Sequence, residues 1–345
     1  MIGALSNAYG AVVAWRRASY ARDPSQRHRL SRPVISVGNL GVGGSGKTPV
    51  VEYIAKLLLE QGERPAILTR GYGRRVAQAG VTVVSDGSSV LADLDAAGDE
   101  PLMLARALPG AAVLVGADRY LSGVLAERRL GATVHLLDDG FQHLQLARDV
   151  DLLLASEEDL SDRPLPAGRL RERLDAAAAA DAALATAGYD TAAERIARAL
   201  RIPIVFRVTR VIAPPRAVEP PRDPIVVPPA ARVFVVAGIA RPDRFVADVA
   251  AAGWDVAGAM TFRDHHPFDA RDLARIVTAA TSVRSSIVLT TEKDATRLGA
   301  LDLTGVPIAS LPLVVGIEPE DRFRTWLLDR LRVARGDSGR GEPRA

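Results

Sequence analysis

The sequence predicts an α/β protein: a mostly parallel sheet flanked by helices, then a second, smaller α/β lobe reached through an extended linker. Three observations predict it. Short apolar runs alternate with helix-length stretches from Val34 onward, the rhythm of βαβ units. The first run, Val34 to Val37, feeds a glycine-rich turn, Gly41-Val42-Gly43-Gly44-Ser45-Gly46-Lys47-Thr48, which fits G-x-x-x-x-G-K-[ST] without a mismatch. Seven prolines fall between Pro214 and Pro229, after which the α/β rhythm resumes. A chain of 345 residues exceeds one ordinary domain, so two lobes suit its length.

Composition removes several classes. Hydrophobic residues at 48% suffice for two cores, and the net charge of +3 lacks the concentrated basic stripe of a nucleic-acid binder. The absence of cysteine excludes a disulfide framework, thiolate-bound zinc and thiol catalysis. No run is long enough to span a bilayer. The N-terminus has its charges, Arg16 and Arg17, after the apolar part, the reverse of a secretory signal.

Taken in order, residues 2–20 read as an amphipathic helix, with Ile2, Leu5, Tyr9, Val12 and Val13 at helical spacing and Trp15, Arg16, Arg17 and Tyr20 at its end. Aromatics beside arginines suit a membrane interface, and packing on the chain's own domain is the alternative. The glycines of the phosphate loop let backbone N–H groups face phosphate oxygens at a helix N-terminus. Lys47 can reach the outer phosphates and the Thr48 hydroxyl can hold Mg²⁺. The helix runs on from Val50 to Gln61, and Gly62 supplies a stop.

Strand Ala66–Thr69 leads into Arg70-Gly71-Tyr72-Gly73-Arg74-Arg75, either a grip for an anion or a solvated basic turn. A short strand at Val81–Val84 and a loop from Asp86 to Gly98 follow. Asp99 and Glu100 open a helix through Leu108, where acids can simply cap. Arg119 lies just past strand Val113–Val115, where ligands of parallel sheets collect. Strand Thr133–Leu137 ends in Asp138-Asp139-Gly140-Phe141-Gln142-His143, the form of a Walker B strand whose aspartate supports Mg²⁺. After strand Val150–Ala155 comes an arginine-rich turn segment, Arg163 to Glu172, followed by an alanine-rich helix at 176–180 and strands at 182–185 and 204–211.

The proline-rich stretch reads as a semi-rigid linker. Beyond it, strand Arg232–Ala237, helix Asp243–Ala252, the loop Phe262-Arg263-Asp264-His265-His266-Pro267-Phe268, a helix at 270–280, strand Ile287–Thr290 and a closing helix Asp321–Leu331 make the second lobe. The histidine pair allows zinc, a buried capping role or proton handling at the nucleotide site. The expected organisation is an N-terminal helix at 1–20, a phosphate-loop (P-loop NTPase-like) domain at 21–205, a linker at 206–230, a C-terminal lobe at 231–333 and a disordered tail at 334–345.

Three comparisons narrow the nucleotide chemistry. A guanine-specific N-K-x-D motif is missing, because Thr291-Glu292-Lys293-Asp294 puts Asp directly after Lys. The early lysine of partitioning ATPases is replaced by the apolar Val42. No further motor signature is found. A kinase acting on a small acceptor remains; the alternatives are a partner-regulated ATPase switch and a membrane-docked nucleotide sensor.

The ordered series SVGNLGVGGSGKTP, LTRGYGR, GDEP, VGADR, LLDDGFQH, LPAGRLRE, GIARPDRF, FRDHHPF and TTEKDA resembles the tetraacyldisaccharide 4′-kinase family over roughly residues 5–330. The resemblance implies two α/β/α lobes joined by a two-stranded linker, and ATP-dependent phosphorylation of the 4′-hydroxyl of a tetraacylated glucosamine disaccharide 1-phosphate in lipid A biosynthesis. It implies a peripheral enzyme on the cytoplasmic face of the inner membrane, with ATP and Mg²⁺ and no obligate protein partner or nucleic acid. Asp99 then accepts the hydroxyl proton, with His265 as its partner or His266 if the register is off by one. Lys47 serves the transferred phosphoryl group. Thr48, Asp138, Asp139 and Gln142 surround Mg²⁺. Arg119, His143 and Glu172 line the substrate cleft, and Arg70, Tyr72 and Arg169 are potential hydrogen-bonding groups for the sugar or its 1-phosphate.

Overall fold

The computed structural model describes residues 2–44, 46–76, 80–218 and 223–336. Its strands are β1 (Val34–Asn39), β2 (Pro65–Thr69), β3 (Val81–Asp86), β4 (Ala112–Gly116), β5 (Val134–Asp138), β6 (Val150–Ala155), β7 (Ala182–Ala185), β8 (Val205–Ile212), β9 (Arg216–Ala217), β10 (Arg232–Ala237), β11 (Asp255–Thr261), β12 (Ile287–Thr291), β13 (Ile308–Leu311) and β14 (Leu313–Glu318). The helices are α1 (Ile2–Arg22), α2 (Lys47–Glu60), α3 (Leu94–Ala97), α4 (Asp99–Ala107), α5 (Arg119–Leu130), α6 (Glu157–Leu160), α7 (Asp190–Leu200), α8 (Pro242–Ala251), α9 (Ala270–Ser282), α10 (Glu292–Leu298) and α11 (Glu320–Ala334).

The first lobe is a nine-stranded sheet in the order β14-β8-β7-β6-β1-β5-β2-β4-β3, parallel from β8 to β4 with an antiparallel strand at each edge. β1 lies between β5 and β6, and every residue of β1, β2, β5 and β6 is buried. That is why these strands read as mostly apolar runs: helices cover both faces. The active edge of such a sheet lies beyond the carboxyl ends of its strands, where the order reverses around β1. The second lobe is a five-stranded sheet, β11-β10-β12-β13-β9.

The linker departs from the sequence expectation. β8 pairs antiparallel with β14 from Arg207↔Glu318 to Ile212↔Leu313, so 205–212 belongs to the first sheet. β9, inside the proline-rich stretch, pairs with β13 of the second sheet, and Val218 is buried in the second core. Proline forbids a central strand but not a short edge strand, which is what β9 is. The crossing between lobes is two-stranded, with Ala213 N–H donating to the Pro312 carbonyl at 2.9 Å. The expected C-terminal lobe at 231–333 therefore ends near Leu311. β14 and α11 return to the first lobe, where Phe323, Leu327 and Leu331 pack with Ile54, Leu58 and Phe206. The tail expected from 334 lies, beyond Gly336, outside the described residues.

Other differences are local. The alanine-rich stretch forms a 3₁₀ segment over Leu174–Ala179 instead of an α-helix. α5, α7, β11, β13 and β14 are not among the expected elements. α1 extends two residues beyond its expected end and buries Ser6 and Gly10, leaving Ile2, Leu5, Val12 and Trp15 exposed.

Candidate active site between the lobes

A cavity of about 830 Å³ opens between the two lobes and is lined by the phosphate loop, the ends of β2 and β5, the α8 entry and the His265 loop. α1 also reaches it, through Tyr9, Val13 and Arg16. Among the described residues no helix is long and apolar enough to cross a membrane.

The phosphate loop leaves β1 and enters α2 at Lys47, with Gly43 at φ 101° and Gly46 at φ 90°. Only glycine adopts such angles freely, and the missing Cβ atoms leave the loop's N–H face open. Ser45 lies outside the described residues. The segment 168–171 runs against the loop: Val42 N–H donates to the Arg169 carbonyl at 2.8 Å and Arg171 N–H to the Leu40 carbonyl at 2.6 Å. Lys47 Nζ donates to Asn39 Oδ1 at 3.0 Å and stands 3.4 Å from Asp139 Oδ1.

Asp138 ends β5 fully inside the protein. Burial, with the Glu100 and Asp139 carboxylates nearby, pushes its carboxyl up to about 7. Asp139, at φ 59°, turns toward Lys47 and Arg171. Burial would raise its pKa, but the two cations outweigh this and hold the carboxyl below its usual value. Gln142 donates to the Asn39 carbonyl at 3.0 Å. Among the described residues no three His, Cys, Asp or Glu side chains could hold a metal by themselves. The donor set still fits Mg²⁺, which takes one or two protein oxygens and fills its shell with phosphate and water. Such an ion would complement the buried Asp138 carboxyl, and Thr48 at the start of α2 lines the same cavity.

The second cluster joins the lobes. His265, at φ 57°, has Nδ1 2.9 Å from Asp99 Oδ2. A non-glycine residue held in the left-handed region is costly and marks a constrained position. Gly73 makes room for the pair: a Cβ there would stand 3.3 Å from His265 Nδ1 and 3.8 Å from Asp99 Oδ1. Arg297 Nε approaches Asp99 Oδ2 at 3.4 Å, and Lys293 binds Glu100 at 2.9 Å. Burial would raise the Asp99 carboxyl, but the His265 hydrogen bond and the Lys293 and Arg297 charges hold it below its usual value. That same hydrogen bond raises His265 against the opposing effect of burial. Asp99 is only 3% exposed and does not line the cavity, whereas His265 does. His266 faces elsewhere, with Nε2 2.7 Å from Asp272 and its ring stacked on Phe262, so the buried structural role falls to it.

Arg70, Tyr72, Arg119 and His143 all line the cavity. Arg119 is buried, and burial together with Arg70 lowers it to about 10. His143 is pushed down to about 4 by burial and by Arg119 and Arg148, which keeps it neutral. Two expected site residues do not reach this space. Glu172 is 3% exposed and sits behind the β5 turn, paired with Arg17 of α1 at 2.6 Å. Arg169 is tied to Asp162 at 2.7 Å and lines a second cavity, which shares Val42, Gly43 and Gly44 of the phosphate loop with the first. A side chain two positions away replaces it: Arg171, which grips Asp139 with both terminal nitrogens at 2.8 and 3.1 Å. Asn39, Arg171, Lys293 and Arg297 are the residues that single-motif reasoning missed; each lies inside or within a turn of a motif that the sequence displays.

A phosphate loop at the head of a parallel sheet, a Walker B carboxylate and an acid–histidine pair made across the two lobes define a phosphate-loop kinase. Comparison with known proteins gives the family. The model of LpxK, tetraacyldisaccharide-1-P 4′-kinase, matches residues 1–332, and the chain belongs to this family. Relatives named tetraacyldisaccharide 4′-kinase include that of Koribacter versatilis, 39% identical over 92% of this chain and 94% of its own. That of Bradyrhizobium diazoefficiens is 39% identical over 97% and 92%. The crystal structure of LpxK from Aquifex aeolicus in complex with ATP superposes with a TM-score of 0.76 at 30% identity, covering 95% of this chain and 97% of that one.

Proposed function

We propose that this kinase transfers the γ-phosphoryl group of ATP to the 4′-hydroxyl of a tetraacylated glucosamine disaccharide 1-phosphate, drawn from the cytoplasmic face of the inner membrane. The observation that carries the reading is the Asp99–His265 pair, built from both lobes beside the phosphate loop. A simple ATPase switch has no need of a carboxylate-paired histidine facing the cavity that the phosphate loop lines.

The chain's own residues divide the work. The loop N–H groups and Lys47 hold the donor phosphates and stabilise charge on the transferred group. Thr48 and Asp138 would hold Mg²⁺, with Asp139 and Gln142 next to them. When bound, the ion neutralises phosphate charge as transfer proceeds. His265 is the cavity-facing member of the dyad; its ring takes the hydroxyl proton, and the Asp99 carboxylate fixes its tautomer and stabilises the imidazolium. The sequence reading made Asp99 the direct acceptor, and the burial of Asp99 supports assigning first contact to His265. Arg70 and Arg119 offer charge-assisted hydrogen bonds to the acceptor's 1-phosphate, and Tyr72 offers a hydroxyl to the sugar. The exposed Ile2, Leu5, Val12 and Trp15 of α1, next to a cavity wall made by its Tyr9, Val13 and Arg16, support an interfacial helix that delivers an acylated substrate.

The test is incubation with labelled ATP, Mg²⁺ and the disaccharide 1-phosphate in detergent. Labelled bisphosphate is expected, and Asp99→Ala should slow its formation by about two orders of magnitude or more. Hydrolysis of ATP without labelled lipid would favour the switch reading instead.

A further inference from the structure

Arg17 lies on the face of α1 turned to the protein and is 14% exposed, in contrast to the apolar residues on the helix's outer face. Its Nε and a terminal nitrogen bind the two oxygens of Glu172 at 2.6 and 2.8 Å, and the same terminal nitrogen donates to the Phe141 carbonyl at 3.1 Å. The guanidinium also lies 4.4 Å from the centroid of the Phe141 ring. A buried glutamate needs such a bidentate partner, because an uncompensated charge at this depth is strongly unfavourable.

The contacts continue inward without a gap. Glu172 Oε1 also accepts from Gln142 Nε2 at 3.0 Å, and Gln142 Oε1 accepts from Arg171 at 3.2 Å. Arg171 holds Asp139 with two hydrogen bonds, and its Nε donates to the Gly41 carbonyl of the phosphate loop at 3.1 Å. Asp139 in turn faces Lys47. A change at Arg17 thus reaches the phosphate-loop lysine through side chains that are each engaged on both sides. Phe141, clamped by Arg17, is wholly buried and packs so closely on β1 that a Cβ at Gly38 would stand 2.5 Å from the Phe141 Cβ. The β5 turn therefore cannot slide without moving one end of this chain.

We propose that Arg17 is a positioning residue for the nucleotide half of the site: through Glu172, Gln142 and Arg171 it fixes Asp139 and Lys47, so the seating of α1 sets the affinity for magnesium nucleotide. The inference rests on reading the phosphate loop as the ATP site. It makes α1 more than a membrane anchor, since a helix that only touches lipid has no cause to alter nucleotide binding in its absence.

The test is isothermal titration of the full chain with a non-hydrolysable ATP analogue and Mg²⁺, without lipid. Arg17→Ala should weaken binding about tenfold or more, and Arg17→Lys, which restores the charge but not the fork, should recover part of the loss. A thermal melt of each variant reports folding. Should Arg17→Ala not fold, Glu172→Gln tests the same link with an isosteric change and is expected to weaken binding similarly. Wild-type affinity in any of these folded variants that cut the Arg17–Glu172 fork overturns the proposal. Failure of the wild-type chain itself to bind the analogue overturns the ATP-site reading along with it, so the two failures are told apart.

Discussion

Asp99 and His265 show how a shared hydrogen bond sets two titrations in opposite directions. Asp99 is held below its ordinary value and stays ionised through the working range, while His265 is raised above 6.5. The charged pair therefore contributes fully between the ordinary values, 3.8 for the carboxyl and 6.5 for the imidazole, and loses its ionic part as pH rises from 6.5 through the raised histidine value. With His265 in its proposed role, catalysis runs the other way, because only a neutral imidazole can take a proton. The rate of phosphoryl transfer is expected to climb with pH through that raised value and then level off. In Asp99→Asn the climb should move to lower pH with a much lower plateau. A wild-type rate that is flat from pH 6 to 8 would return the role of acceptor to Asp99. These two residues were legible in the sequence because each stands in a short distinctive run, G-D-E-P and D-H-H-P. Arg297 was not. It acts on Asp99 from the last turn of α10, and only the closure of one lobe on the other gives it that neighbour.

An apolar period helps only when bulky residues carry it: α7 buries Ala192, Ala193, Ile196, Ala197 and Leu200 on one face, mostly alanines, and escaped the sequence reading. α5 buries Ser122, Gly123 and Ala126 instead of a branched stripe, because Leu30 fills the space at Gly123 that a side chain would take. Its sequence therefore lacks the signal that marks an amphipathic helix. α11 shows the opposite failure. Its helical pattern is plain, but nothing local says which core it joins. Phe323 is fully buried and meets Phe206 edge-to-face at 5.1 Å, in a core assembled from residues far earlier in the chain. Phe323→Ala should cost about 3–5 kcal/mol, the usual range for emptying such a site. Chemical denaturation followed in the first lobe is the measurement, and an unchanged midpoint would show that α11 is dispensable to it.

The lobe boundaries expected from the sequence differ from those that strand pairing draws. Proline density marks where a chain resists regular structure, but strand pairing between distant segments decides which sheet owns the flanks. Here it assigns β8 and β14 to one lobe and β9 to the other. The double crossing at Ala213 and Pro312 has a consequence for what a protease would leave behind. A single cut in the proline-rich stretch after β9 yields two polypeptides that remain threaded through each other: the earlier piece keeps β9 of the second sheet, and the later piece owns the other four strands and also an edge strand and a core helix of the first. The nicked protein is expected to elute from a sizing column at the intact position and to separate only under denaturant. Recovery of a free folded C-terminal lobe after such a cut would contradict this. The two connections run side by side and are tied together at Ala213 and Pro312, so neither can shift alone, and the acid on one lobe and the histidine on the other are held to a single register.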